Sequence, residues 1–297
     1  MEELIAKKVG PSKIDIVYQR FGSTDAPPLL LIMGGGAQMI AWPDGFCFEL
    51  VNNGLQVIRF DNRDTGLSTH FNDAPIPDLK AAMAGDYSTV SYTLSDMAAD
   101  AVGLMDALGL QSAHLAGASM GGMIAQTIAI EYPERVSSIT SIMSTTGNSK
   151  VGQPDFSALA KLGAPPKDRQ GYIDWQVRAL KVIGSPKYPF DEQAAIDRAA
   201  RSWDRDHDPL GMLRQSVAVL KSGDRTEKLK KINVPALVIH GSADKMCDVS
   251  GGRATSEAIP GSELIIFDGM GHGFPKQLWA EIAGKIAALV HKTENCL

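Results

Sequence analysis

The chain of 297 residues is long enough for one large α/β domain with an insertion, or for two small domains, and for a full apolar core. Hydrophobic residues make up 44% and charged residues 21%, the net charge is −5, and no lysine or arginine block stands out, which argues against nucleic acid and anionic membrane as partners. Cys47, Cys247 and Cys296 are too few and odd in number for a disulfide framework, the N-terminus has no basic start followed by an apolar core, and no apolar run approaches the ~18 residues of a membrane span, so a reducing cytoplasm is expected.

Taken in chain order, residues 13 to 21 partly alternate polar and apolar, as in an antiparallel edge strand with one wet face. After the loop Gly22 to Pro28, the continuous apolar run Leu29 to Met33 reads as a central parallel strand. It ends in Gly34-Gly35-Gly36, where the missing side chains let backbone approach a ligand. A dinucleotide fingerprint counted from Gly34 would need glycine at Met39, so that reading fails. A short helix over about 44 to 53 precedes the strand 55 to 60, which runs into Asp61-Asn62-Arg63-Asp64-Thr65-Gly66-Leu67-Ser68. Residues 69 to 91 read as irregular. Thr93-Leu94-Ser95-Asp96 has the pattern of a capping box, and Leu94, Met97, Ala98, Ala101, Met105 and Leu108 mark a helix closed by Gly109.

Ala113 to Ala116 is a short apolar strand, and Met123, Ile124, Thr127, Ile128 and Glu131 fall at helical spacing. Between them lies Gly117-Ala118-Ser119-Met120-Gly121. Gly-x-Ser-x-Gly at a strand-to-helix turn holds the serine in a strained conformation with its hydroxyl out of the sheet, and the helix start aims N–H groups at an oxyanion beside it. Alone the motif is weak, since chance supplies roughly 0.2 such matches in a chain of this composition. Its partners later in the chain carry the argument.

A strand follows near Val136 to Met143, and then the alternation stops. Residues 144 to 233 exceed what a crossover needs, are helical in character, and include Trp175, Trp203 and the charged stretch Asp204 to Asp208, which reads as a solvated face or ion-pair cluster. Alternation resumes with the strand Pro235 to His240 and the loop through Asp244, then the strand Ser262 to Phe267 and the loop Asp268-Gly269-Met270-Gly271-His272, and a last helix from Leu278 to His291. The expected fold is therefore α/β, a doubly wound, mostly parallel sheet, with residues 1–143 and 234–297 as core and 144–233 as a crossover carrying an inserted helical cap.

Ligands in such sheets bind at the carboxyl ends of the strands, where Gly34 to Gly36, Ser119, Asp244 and His272 all fall. A serine nucleophile needs a base, and the base needs an acid to fix its tautomer. Of the six histidines, His114 and His240 lie within strands, His207 in the charged insertion and His291 on the last helix; His272 sits in a glycine-rich loop past a strand end. Asp244 is the expected acid. Asp248 lies further along, Asp268 is placed to brace the histidine loop, and the loop after Met143 offers no carboxylate. Trp42, with Met33, Met39 and Met120, is a candidate pocket lining beside Gly36, against the ordinary alternative of apolar core.

Leu31 to Gly36, Asp61 to Ser68, Gly117 to Gly121, His240 to Asp244 and Gly269 to His272 together resemble the α/β-hydrolase superfamily, and the Met-Gly-Gly and Asn-Arg-Asp-Thr-Gly details resemble its aclacinomycin methylesterase branch. The resemblance implies Ser119 as nucleophile, His272 as base, Asp244 as acid, and an oxyanion hole from the N–H groups of Gly35 and Met120. It makes Arg63 and Asp64 parts of a structural loop beside the site. It implies an esterase without metal or cofactor, acting on a small to medium apolar ester through an acyl-enzyme, with homodimerisation left open. Lactonase and perhydrolase or haloperoxidase-like activity on the same triad, and a slowly turning ligand receptor, are the alternatives. Epoxide hydrolase and dehalogenase are disfavoured because such relatives have aspartate where this chain has Ser119. Many relatives have His-Gly in place of Met33-Gly34, and often a proline near Asp248.

Overall fold

The computed structural model describes residues 1–295, so Cys296 lies outside the described residues. In chain order the elements are β1 (Leu4–Val9), β2 (Ile14–Phe21), β3 (Pro28–Ile32), α1 (Asp44–Asn52), β4 (Gln56–Phe60), α2 (Leu79–Met83), α3 (Leu94–Ala107), β5 (Ala113–Ala118), α4 (Met120–Glu131) and β6 (Val136–Ile142). Then come α5 (Phe156–Leu159), α6 (Arg169–Ile183), α7 (Glu192–Arg205), α8 (Pro209–Ser222) and α9 (Thr226–Leu229), followed by β7 (Ala236–Gly241), α10 (Val249–Ala258), β8 (Glu263–Phe267) and α11 (Trp279–Glu294).

The strands form one eight-stranded sheet in the order β1-β2-β4-β3-β5-β6-β7-β8. β1 and β2 pair antiparallel, as do β2 and β4, and every other pairing is parallel. The strand expected at the edge, β2, is therefore one place inside it: β1 covers it, and β2 buries residues on both faces. The alternation read from residues 13 to 21 describes partial burial rather than an edge. Residues 69 to 91 also hold a short helix, α2, whose N-cap Asp78 accepts from Ala81 N at 2.8 Å.

Period-two alternation divides the strands' side chains between two core layers. Leu30, Ile32, Ile58 and Leu115 pack under α3 and α4, while Leu29, Leu31, Val57 and Ala116 pack under α1 and α11. Each such valine, leucine or isoleucine contributes about 1.5–3 kcal/mol on full burial, so the sheet is a rigid platform for loops at its carboxyl edge. α3 begins with the expected capping box, in which the Asp96 carboxylate accepts from Thr93 N at 2.8 Å.

The five helices between β6 and β7 are fastened to the core by polar contacts. Arg205 pairs with Asp61 at 2.7 Å and with Glu3 at 2.9 Å; Arg214 pairs with Asp64 at 3.1 Å and Asp208 at 3.3 Å. Where the insertion leaves and rejoins the core, buried Arg225 donates to Thr145 O and Gly223 O, both at 3.0 Å, and to Gln126 Oε1 on α4 at 3.2 Å. Burial pulls the pKa of that guanidinium down to about 10.

Candidate active site

Ser119 is held at the β5–α4 turn with φ 56° and ψ −123°. A non-glycine residue there is strained, and the surroundings over-determine it. Ser119 N donates to Ile142 O at 2.8 Å, and Ser144 Oγ donates to Ser119 O at 2.8 Å. The flanking glycines are steric requirements. A Cβ on Gly117 would lie 2.1 Å from Gly121 O, and one on Gly121 would lie 2.0 Å from Ile32 O. The motif thus lets α4 touch both its own strand and β3.

The loop after β3 closes on the same point. A Cβ on Gly34 would meet Ser119 Cβ at 3.0 Å, and one on Gly35 would meet Met120 Sδ at 3.7 Å. Neither the Gly35 nor the Met120 amide has a hydrogen-bond partner among the described residues. Backbone donors left free near a serine, one of them at a helix start, are groups of the kind that can stabilise negative charge.

Asp244 and His272 are joined. His272 Nδ1 lies 2.8 Å from Asp244 Oδ2, and the other carboxylate oxygen accepts from Met246 N at 2.8 Å and Cys247 N at 2.9 Å. The Asp244 side chain is fully buried and that of His272 is 14% exposed, so the pair is shielded while the ring keeps one open face. The Asp244 carboxylate can accept a hydrogen bond from Nδ1–H, the tautomer in which Nε2 carries the lone pair. Neither Nε2 nor Ser119 Oγ has a hydrogen-bond partner among the described residues.

The rival carboxylates have other occupations. Asp248 caps α10, accepting from Ser250 N at 3.0 Å. Asp268 is largely exposed and pairs with Lys187 at 2.8 Å, bracing the loop before His272 and holding its own carboxyl below the usual range through that ammonium. The insertion supplies further support that no motif announced. Ile183 O accepts from His272 N at 2.7 Å, Ser185 Oγ accepts from Gly271 N at 2.8 Å, and on α8 the Gln215 Oε1 accepts from Gly36 N at 2.7 Å.

The two pocket candidates part company. Gly36 is exposed, with Met212 of α8 packed where its side chain would be, the nearest atom 2.9 Å from a Cβ built there. Trp42 is fully buried in the layer under α1 and α11, its ring 5.7 Å from Phe46 and 4.7 Å from Phe274. It is a core residue, because three aromatic rings bury more apolar area together than one ring lining a pocket. Met33, Met39 and Met120 are buried as well. The tryptophans of the insertion hold its helices together: Trp203 stacks on His207 at 3.9 Å and packs on Tyr172 of α6, while Trp175 Nε1 donates to Leu162 O at 3.0 Å.

The Asp61–Ser68 loop is the seat of the insertion. Asp61 accepts from Met39 N at 2.7 Å and Leu67 N at 3.1 Å besides its Arg205 pair; Arg63 grips Asp100 through two bonds of 2.5 and 2.7 Å. Asp64, His70 and Asp208 bring potential metal ligands within 4.8 Å of one another, but the Arg214 guanidinium already binds both carboxylates, which makes the cluster an ion-pair network. Within the charged stretch Asp204 to Asp208, Asp206 and Asp208 join that network through His70, Arg205 pairs with Asp61, and Asp204 makes a separate exposed pair with Arg169.

With this geometry in place, comparison with known proteins gives a consistent family. Residues 27–275 match the model of the alpha/beta hydrolase fold. Rhodomycin D methylesterase of Streptomyces peucetius is 26% identical over 93% of this chain and 95% of its own length. The bifunctional esterase/perhydrolase of Acinetobacter calcoaceticus is 26% identical over 88% of this chain and 91% of its own. Among solved structures, an esterase from a Rhodococcus species superposes with TM-score 0.72 at 23% identity, over 97% of this chain and all of that one. An enol-lactonase from Burkholderia xenovorans gives 0.70 at 21% identity, over 98% of this chain and all of that one. From its sequence match over most of its length, its strand order and its strained serine turn, this chain belongs to the α/β-hydrolase fold family.

Proposed function

We propose that this protein is a carboxylic ester hydrolase working through Ser119, His272 and Asp244. Ser119 Oγ attacks the ester carbonyl while His272 Nε2 takes its proton, and the tetrahedral oxyanion lies between the amides of Gly35 and Met120. His272 returns the proton to the departing alkoxide, which leaves as the alcohol. Water then attacks the acyl-serine with the same ring as base, releasing the acid and restoring Ser119. Asp244 stays ionised and fixes the ring's tautomer. The observation that carries this reading is the Asp244–His272 bond of 2.8 Å on the loops after β7 and β8, at the same carboxyl edge of the sheet as the strained serine after β5.

The similarity to methylesterases and to the esterase/perhydrolase supports small esters as substrates, and the enol-lactonase likeness keeps cyclic esters in the same scheme. The helices of 144–233 serve as the lid that bounds the pocket, a role supported by their hydrogen bonds to both the glycine loop and the histidine loop. The test is Ser119→Ala against p-nitrophenyl esters of increasing chain length. Turnover should fall by about 10⁴ to 10⁶ with the fold intact, and a fluorophosphonate should label the parent at Ser119. Labelling at another residue with Ser119 untouched rules the assignment out.

A further inference from the structure

Strand β7 is buried along its whole length, and every residue of it but one is apolar or glycine. The exception is His240, whose side chain is fully buried, like that of Asp244 on the loop that follows. A polar ring in the interior of a sheet is costly unless its nitrogens are used.

His240 Nε2 lies 2.7 Å from Cys247 O. A carbonyl only accepts, so Nε2 carries the hydrogen, and Nδ1 holds the lone pair of a neutral imidazole. Nδ1 is buried and has no hydrogen-bond partner among the described residues. Protonation would put a second N–H there with nothing to receive it, and burial pulls the pKa of the ring down. The charged and titratable groups that face the ring are Asp244 and Cys247 on its own loop, Asp248 at the start of α10, and His272 on the loop after β8.

The same Nε2 is 3.6 Å from Asp244 Oδ2, the oxygen that meets His272 Nδ1. The other oxygen, Oδ1, accepts from Met246 N and Cys247 N. Cys247 therefore gives its N–H to the acid and receives the N–H of His240 at its carbonyl. The ring ties shut the turn that carries Asp244. It also brings a neutral N–H near the oxygen that the base engages. Helix α10 holds the ring from behind. A Cβ on Gly252 would lie 2.5 Å from Nδ1 and 2.8 Å from Cγ, so that glycine leaves the room the ring occupies.

We infer that His240 is a positioning residue of the catalytic acid: as a neutral donor it fixes the Cys247 end of the acid loop, and through that loop the direction in which Asp244 meets His272. A cation at this place would compete with His272 for the carboxylate, whereas an uncharged N–H orders the loop and leaves the charge of Asp244 to the base. This rests on the ester hydrolase reading above.

The test is a double-mutant cycle, read as kcat on p-nitrophenyl acetate and as the rate of fluorophosphonate labelling at Ser119. His240→Leu should lower both by about 30-fold with KM within about twofold, a loss short of the ~10⁴ expected for the acid itself. In an Asp244→Asn background the same change should cost less than about threefold, because the group it acts through is already disabled. His240→Gln keeps a donor for Cys247 O and should recover most of the loss. Gly252→Ala suits a helix but drives a methyl into the ring, so it should lower kcat by about fivefold in a protein that still melts cooperatively. That variant decides the matter if His240→Leu does not fold. A folded His240→Leu or Gly252→Ala with kcat within about twofold of the parent overturns the inference and leaves the hydrolase standing. So does an equal loss from His240→Leu in the parent and Asp244→Asn backgrounds, which is the mark of a merely structural role. Failure of the reagent to label Ser119 in the parent removes the hydrolase reading and this inference with it.

Discussion

Gln215 ties the helical insertion to the glycine loop, and replacing it tests whether that tie matters to chemistry. The side chain is 1% exposed. It accepts from Gly36 N at 2.7 Å and donates to Arg63 O at 2.8 Å and Thr65 Oγ1 at 2.7 Å. Gln215→Leu keeps the volume and removes all three bonds. At about 1 kcal/mol net for each bond, the loss is about 3 kcal/mol, with the unpaired Gly36 N–H and Arg63 carbonyl adding to it. For a chain of this size that corresponds to a fall in Tm of about 5 °C. Gly36 adjoins Gly35, whose amide is proposed to face the oxyanion, so freeing Gly36 loosens a donor whose full removal costs about 10²–10³ in kcat in comparable sites. A partial loss of about tenfold in kcat is expected, with KM little changed, measured on a p-nitrophenyl ester at 25 °C beside a thermal melt. Gln215→Glu retains the acceptor for Gly36 but faces the Arg63 carbonyl with a second oxygen, so it should lose stability while keeping more of kcat. A Tm within about 2 °C of the parent would show that the three bonds are not made in solution. A full drop in Tm with kcat within about twofold would show that they do not act through the oxyanion loop.

Asp244→Asn should lower turnover by about 10⁴, because the amide favours the wrong tautomer of His272, whereas Asp248→Asn and Asp268→Asn should cost far less; a larger loss at Asp248 would move the acid. Gly211→Ala places a Cβ 2.1 Å from Asp64 O, so α8 must lift from its seat, at about 1–3 kcal/mol in a denaturant melt; an unchanged midpoint would mean that α8 does not rest there. Both ring nitrogens of His70 face acceptors, Asp208 at 3.0 Å and Gly66 O at 2.9 Å. Burial pulls the His70 pKa down, but the bonds to Gly66 and Asp208 and the charge of Asp206 outweigh it and raise it. Its stabilisation is complete below the ordinary histidine value and is lost as pH rises through the raised one, so the Tm gap between parent and His70→Gln should be wider at pH 5.5 than at pH 8.5, and an equal or reversed gap refutes the charged form.

What the sequence made legible was local. The apolar runs around Leu29 to Met33 and Ala113 to Ala116, the capping box at Thr93 and the serine turn each write their structure within a few neighbouring residues, and the structure places strands, helix and turn there. The carboxyl-edge rule then brought Ser119, Asp244 and His272 together on paper, and two of them are in direct contact. The contacts that seat the insertion were not legible, because they join residues far apart: Gln215 meets Gly36 across 179 positions and Arg205 meets Asp61 across 144. No periodicity encodes such a pairing. β1 was missed because Leu4 to Val9 carries two lysines and half of it faces solvent, so its pattern is that of an exposed edge. Trp42 was misjudged for a different reason: an aromatic residue near a glycine loop fits a pocket wall and a core wall equally until Phe274, from the far end of the chain, is seen to fill the space beside it.

The clasp at Arg225 makes the insertion separable from the platform that bears it. One guanidinium gathers carbonyls from the departing and the returning chain, so the two ends of the 144–233 segment are held together while Arg205, Arg214 and Gln215 seat its middle on the core. Lengthening what lies between those ends costs the core little, since each doubling of a loop adds only about 0.6 kcal/mol in closure entropy. The segment is then a cassette. A graft that keeps Thr145, Gly223 and Arg225 retains the hold on both ends, but it must supply its own partners for Asp61, Asp64 and Gly36.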